Sequence, residues 1–103
     1  PDTTWQNHPA IFSAVGFQIT TYRYLAEDRC NLDFDAMLSD ISALPPRSIV
    51  LLHSCAHNPS GCDPTEDQWR EILKVVQQHN LLPYFDNAYQ GFVSGDPEVD
   101  AFA

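Results

Sequence analysis

The segment Ser48-Ile49-Val50-Leu51-Leu52-His53 restricts the fold of this chain more than any other. Its apolar residues are consecutive, so neither a two-residue nor a 3.6-residue period gives it a polar face. Such a run reads as a strand covered on both sides, the kind found in parallel sheets. Leu82-Pro83-Tyr84-Phe85 reads as a second, shorter buried strand that stops at Asp86. Parallel neighbours need a crossover, usually a helix, and the residues between supply one. Thr65-Glu66-Asp67-Gln68 is a capping-box pattern, and Trp69, Ile72, Leu73 and Val76 mark the apolar stripe that follows.

The preceding residues repeat the alternation. His8 to Gly16 reads as a short helix with Pro9 at its first helical position and Gly16 as its stop. Phe17 to Tyr24 is β-branched, aromatic and alternating, which predicts a third strand. Ala26 to Leu32 is a polar loop. Asp33 caps a helix whose Phe34, Met37, Leu38 and Ile41 share one face, and Pro45-Pro46 ends it. The order predicts an α/β fold: three layers, with a mostly parallel sheet between helices. In such sheets ligands bind beyond the carboxyl ends of the strands. That rule selects two stretches, His53 to Asn58 and Asp86 to Tyr89.

Composition narrows the function. The 103 residues suit one small domain, and 44% hydrophobic residues exclude a disordered acidic tail. With 14 acidic and 5 basic side chains the net charge is −9, which argues against nucleic acid. No apolar run approaches the roughly 20 residues of a membrane span, and Pro1-Asp2-Thr3-Thr4-Trp5 lacks the character of a targeting segment. Cys30, Cys55 and Cys62 are odd in number and have no CxxC spacing, so a reducing intracellular setting fits. His53, Cys55 and His57 alternate along one strand face but lack zinc spacing and a fourth ligand, so no metal is assigned.

At the strand ends, Asp86 follows an apolar run, and a buried carboxylate needs a partner. Basic residues are few, so a cationic ligand answers that need; capping the next turn is the other reading. Tyr89 either returns its hydroxyl over the same crevice or packs at a turn. Asn58 precedes Pro59 and avoids helical geometry. Trp5 lies outside any core periodicity, either stacking on a planar ligand or packing on the third helix. His8 opens the first helix.

Taken together, His53-Ser54-Cys55-Ala56-His57-Asn58-Pro59-Ser60-Gly61 and Phe85-Asp86-Asn87-Ala88-Tyr89-Gln90-Gly91-Phe92 resemble the aspartate aminotransferase family of fold-type I pyridoxal-phosphate enzymes. Trp5-Gln6-Asn7-His8-Pro9 and Thr21-Tyr22-Arg23-Tyr24 extend the likeness to essentially the whole chain. The resemblance implies that residues 1–103 are a central part of the large, cofactor-binding domain of a longer enzyme. That enzyme would be an intracellular homodimer, cytoplasmic or mitochondrial, moving an amino group between aspartate and 2-oxoglutarate. It implies that Asp86 binds the ring nitrogen of pyridoxal 5'-phosphate, with His8 and His53 behind it. It further implies that Tyr89 and Asn58 bond the ring's 3′-oxygen, that Trp5 stacks on the ring and Ala88 packs its other face, and that Asn58–Pro59 is cis. Asn87 and Ser60 depart from the family's Ser and Thr.

The lysine that joins the cofactor covalently has no match. Lys74, the one lysine present, sits on the third helix in the wrong sequence context. The phosphate cup and the arginines for the substrate carboxylates also have no match. No catalytic residue is therefore assigned, and the 103-residue chain by itself is expected to be inactive. An aromatic-amino-acid aminotransferase, a non-catalytic homologue acting as an interaction protein, and a small metal-binding module are the alternatives.

Overall fold

A computed structural model describes all residues, 1–103. In chain order they form α1 (Asn7–Ala14), α2 (Phe34–Ser42), β1 (Ile49–His53), α3 (Glu66–Gln78), β2 (Leu82–Asp86) and α4 (Pro97–Asp100). The strands β1 and β2 pair in parallel, in a register running from Ile49 opposite Leu82 to His53 opposite Asp86. Alternation then puts Ile49, Leu51 and His53 on one face with Leu82, Tyr84 and Asp86. Phe12 of α1 meets Tyr84 at 5.5 Å between ring centres, whereas Trp69 of α3 meets Phe85 at 6.0 Å. Since Tyr84 and Phe85 point to opposite faces, α1 and α3 cover opposite sides of the sheet.

The core lies on the α3 side. Met37 and Ile41 of α2, Val50 and Leu52 of β1, and Trp69, Ile72 and Val76 of α3 are buried together, with Tyr22, Tyr24 and Leu81. Both helices start as their sequences require. The Asp33 carboxylate accepts the Ala36 amide at 3.2 Å. The Thr65 and Gln68 side chains each accept the other's backbone N–H, at 3.3 and 2.9 Å.

The expected third strand is absent. Residues 17–24 belong to no helix or strand, and the sheet has two strands. The Arg23 amide donates to the Asp40 carboxylate at 2.9 Å, and the Arg23 guanidinium grips the same carboxylate. Side chains take over the role of a neighbouring strand: the Tyr22 hydroxyl donates to the Leu51 carbonyl and that of Tyr24 to the Cys62 carbonyl, each at 2.7 Å. An isolated antiparallel bridge, Leu25 to Leu32, closes the polar loop.

Burial corrects four other expectations. In β1, Val50 and Leu52 are buried but Ile49 is exposed, so one face of the strand is fully covered rather than two. Four residues of β2 are exposed, Leu82 and Tyr84 each by about half, because β2 is an edge with one neighbour. Leu82 N–H points to β1, donating to the Ser48 carbonyl at 2.9 Å. The missing N–H of Pro83 consequently falls on the free edge, where a strand tolerates it. Leu73 lies off the buried stripe of α3. Finally, α1 begins at Asn7, two residues earlier than Pro9 suggested, and Gly16 at φ 90° takes the left-handed turn that follows it.

Met37→Ala or Ile41→Ala, each emptying a fully buried site, is expected to destabilise the protein carrying this segment by about 2–5 kcal/mol. Asp33→Ala, which removes only a cap, costs about 1 kcal/mol. Urea denaturation checks the order.

Candidate functional site

His53 and Asp86 are the last residues of β1 and β2 and are direct register partners, so both side chains leave the carboxyl edge on the α1 face. Helix α1 brings His8 to the same edge. His8 Nε2 donates to Asp86 Oδ2 at 2.8 Å. Thr4 Oγ1 lies 2.8 Å from His8 Nδ1 and 3.0 Å from His53 Nε2. Because a carboxylate only accepts, His8 carries its proton on Nε2. With His8 neutral, one set of protons satisfies all three contacts: His53 donates to Thr4, Thr4 to His8, and His8 to Asp86. A chain aligned in this way strengthens each bond through its neighbours.

Both of the histidines at the end of β1 are held neutral. Burial lowers the His53 pKa to about 4, against the opposing pull of the Asp86 charge. Burial, with His53 nearby, lowers that of His57 to about 3. The His57 ring stacks on Tyr24 with centres 3.9 Å apart, and its Nδ1 meets Ser60 Oγ at 2.7 Å.

The Asp86 side chain is 26% exposed, and His8 is its side-chain hydrogen-bond partner. No lysine or arginine of the segment pairs with it. One carboxylate oxygen is engaged by His8 and the other accepts no hydrogen bond. Trp5 stands edge-on to His8 at 5.2 Å, not against α3, and is 42% exposed. Trp5, His8, Phe12, Tyr84, Asp86 and Asn87 line a cleft of about 230 Å³.

The two loops beyond the strands meet beside it. Ser54 N–H donates to the Asp86 carbonyl at 3.0 Å, extending the ladder by one step. Ser54 Oγ donates to Asn87 Oδ1 at 2.6 Å, a bond that uses the residue differing from the family's serine. The Asp63 carboxylate accepts the amides of Ala56 and His57 at 2.6 and 2.8 Å, holding Ala56 at φ 47°. This turn presents Asn58, whose bond to Pro59 is cis. Asn58 Nδ2 reaches the Tyr89 hydroxyl at 3.4 Å, and Ala88 is exposed between Asp86 and Tyr89.

The alternating histidine–cysteine set does not form a ligand cluster. Cys55 turns its sulfur toward Asn87 at 4.0 Å and His57 turns to Ser60. Donor atoms of His8, His53 and Asp86 do converge within 4.8 Å, through the hydrogen bonds just described. Lys74 pairs with Glu71 at 2.6 Å on the exposed side of α3, across the sheet from Asp86.

The family model for class I and II aminotransferases matches residues 1–103, the whole chain. The chain belongs to that family. Mitochondrial aspartate aminotransferase of Gallus gallus is 52% identical over 103 residues, covering 100% of this chain and 24% of the relative. Cytoplasmic aspartate aminotransferase isozyme 2 of Arabidopsis thaliana is 50% identical, covering 100% and 26%. The crystal structure of an aromatic-amino-acid aminotransferase from Burkholderia pseudomallei, covalently bound to pyridoxal phosphate, superposes with a TM-score of 0.92. It is 40% identical and covers 95% of this chain and 24% of that one. The α/β architecture is thus that of the fold-type I aminotransferases, and this chain spans about a quarter of the length of its curated relatives.

Sequence reasoning on this aminotransferase segment missed Thr4 and Asp63. Thr4 joins the two histidines, and its position one residue before Trp5 was the available signal. Asp63 shapes the Asn58 loop, and its place before Pro64 marks it as a turn residue.

The depressed histidine pKa values predict an acid weakness. Between about pH 4 and 6.5 the unfolded chain binds protons at His53 and His57 that the folded chain refuses, so stability falls as pH falls. The slope approaches roughly 1.4 kcal/mol per pH unit for each ring. Melting temperatures across this range, with His57 titration followed by NMR, check both sign and window.

Proposed function

We propose that these residues are the part of an aspartate aminotransferase's large domain that holds the ring of pyridoxal 5'-phosphate. The observation that carries this reading is Asp86: a carboxylate at the edge of a cleft, oriented through His8, Thr4 and His53, with no lysine or arginine of the segment paired to it. A protonated heteroaromatic nitrogen has the charge, size and planarity that this arrangement lacks.

The donor set fits the rest of such a ring. Asn58 and Tyr89 offer an amide N–H and a phenol to a single oxygen at the ring's edge. Trp5 offers an exposed aromatic face, and Ala88 a methyl group small enough to leave the other face open. Pyridoxal phosphate supplies an electron sink for the charge left when the substrate's α-proton departs. Asp86 would keep a proton on the ring nitrogen, and His8 holds Asp86 aimed. Neutral His53 donates into the chain without adding a competing positive charge. Tyr89 and Asn58 stabilise negative charge at the 3′-oxygen.

Lys74 is tied to Glu71 on the far side of the sheet, so it takes no part, and the 103 residues alone turn over no substrate. In the whole enzyme, which we place inside the cell as a homodimer, the substrates are aspartate and 2-oxoglutarate. Relatives at 50% identity and above over the full segment favour that pair. The Burkholderia structure supports aromatic substrates as a second reading, because it shares the same frame.

Asp86→Ala in the full-length enzyme is expected to lower kcat/KM for aspartate by roughly 10²–10³, the equivalent of losing about 3–4 kcal/mol of charge pairing. Tyr89→Phe, which removes one hydrogen bond, costs about tenfold or less. Steady-state rates with aspartate and with tyrosine check both variants and separate the two substrate readings. Unchanged rates for Asp86→Ala overturn the assignment.

A further inference from the structure

Outside the cleft, two of the three free cysteines meet. Cys30 and Cys62 are 32 residues apart in sequence, yet Cys62 Sγ donates to the Cys30 carbonyl oxygen at 2.9 Å. Cys30 is exposed and Cys62 half-buried. Backbone bond lengths then put Cys62 Sγ within about 5.3 Å of the Cys30 Cα. A disulfide needs that sulfur roughly 1 Å nearer, and Cα atoms commonly about 4.4–6.8 Å apart. The Cys62 thiol thus already lies against the backbone of Cys30, the residue it would bond.

Both cysteines sit on turns whose backbones are already fixed. The Asp28 carboxylate accepts the Cys30 and Asn31 amides at 2.9 and 3.1 Å, and the Leu25–Leu32 bridge closes the loop around them. The Cys62 amide donates to Ser60 Oγ at 3.1 Å, and its carbonyl accepts the Tyr24 hydroxyl at 2.7 Å. The third thiol, Cys55, is buried and directed at Asn87, out of this arrangement. The pair is therefore selective within the segment.

We propose that Cys30 and Cys62 are a redox pair, converted by a low-molecular-weight disulfide into an intramolecular bridge. The exposed Cys30 thiolate attacks the reagent, forming a mixed disulfide and releasing one thiol. The Cys62 thiolate then attacks the Cys30 sulfur and displaces the second. The two protein thiols lose two electrons and two protons in total, and the reagent leaves as two thiols. The bridge ties the 25–32 loop to the turn that carries Asn58, four residues before Cys62. Its effect on cofactor contact rests on the function proposed above; its formation does not.

The test uses the full-length enzyme, oxidised glutathione and disulfide mapping by mass spectrometry. The expected product is a peptide pair linking Cys30 to Cys62, two hydrogens lighter than its reduced parts and separated by dithiothreitol. Cys62→Ser is expected to stop at a glutathione adduct on Cys30, whereas Cys55→Ser leaves the link intact. A glutathione adduct that persists on Cys30 in the wild type, or a Cys30 link to any cysteine other than Cys62, overturns the proposal. Ring-binding variants such as Asp86→Ala do not alter this readout, so the two proposals fail separately.

Discussion

The hydrogen bond from His8 to Asp86 is the contact on which the rest of the site depends. It spans 78 residues of sequence and joins the N-terminal helix to the end of the second strand. It requires that β1 and β2 end in register, because His53 must stand beside Asp86 for Thr4 to reach both imidazoles. It also requires that α1 lie on the face toward which Asp86 points. The core on the opposite face fixes the strand positions, and the Tyr22 and Tyr24 hydroxyls fasten the intervening segment to them. The hydrophobic packing is thus placed where it sets the sheet, and the polar chain is placed where it orients one carboxylate.

Electrostatics gives the arrangement its direction. A carboxylate at the end of an apolar strand would be costly without compensation. A lysine or arginine would compensate it but would also consume it. The imidazole of His8 provides a donor, and His53 behind it stays neutral through burial, so no lysine or arginine of the segment occupies Asp86. The same burial that keeps His53 and His57 neutral also makes the fold sensitive to acid. Function and stability draw on one physical cause.

Much of this was legible from residue patterns. The caps at Asp33 and Thr65 and the apolar stripe through Met37 and Ile41 are local features, and local features are what a single sequence records best. The strand-end rule points to Asp86 and Asn58 from the sequence alone. Sequence reasoning was less successful where tertiary context decides. Phe17 to Tyr24 has the composition of a strand, but the Asp40 carboxylate takes the Arg23 amide and no ladder forms. Leu82 to Phe85 has the composition of a buried strand, but a two-stranded sheet leaves it an edge. Thr4 looked like an ordinary polar residue because its value lies in meeting two histidines 4 and 49 positions away.

The central claim is that Asp86 holds a proton on the nitrogen of a bound ring. The most direct measurement is the ¹⁵N NMR resonance of ring-labelled pyridoxal phosphate in the full-length enzyme near pH 7.5. A shift typical of a protonated pyridine nitrogen in the wild type, replaced by that of a neutral nitrogen in Asp86→Ala, is the predicted result. A neutral nitrogen in the wild type, or a protonated one that survives the loss of Asp86, contradicts it.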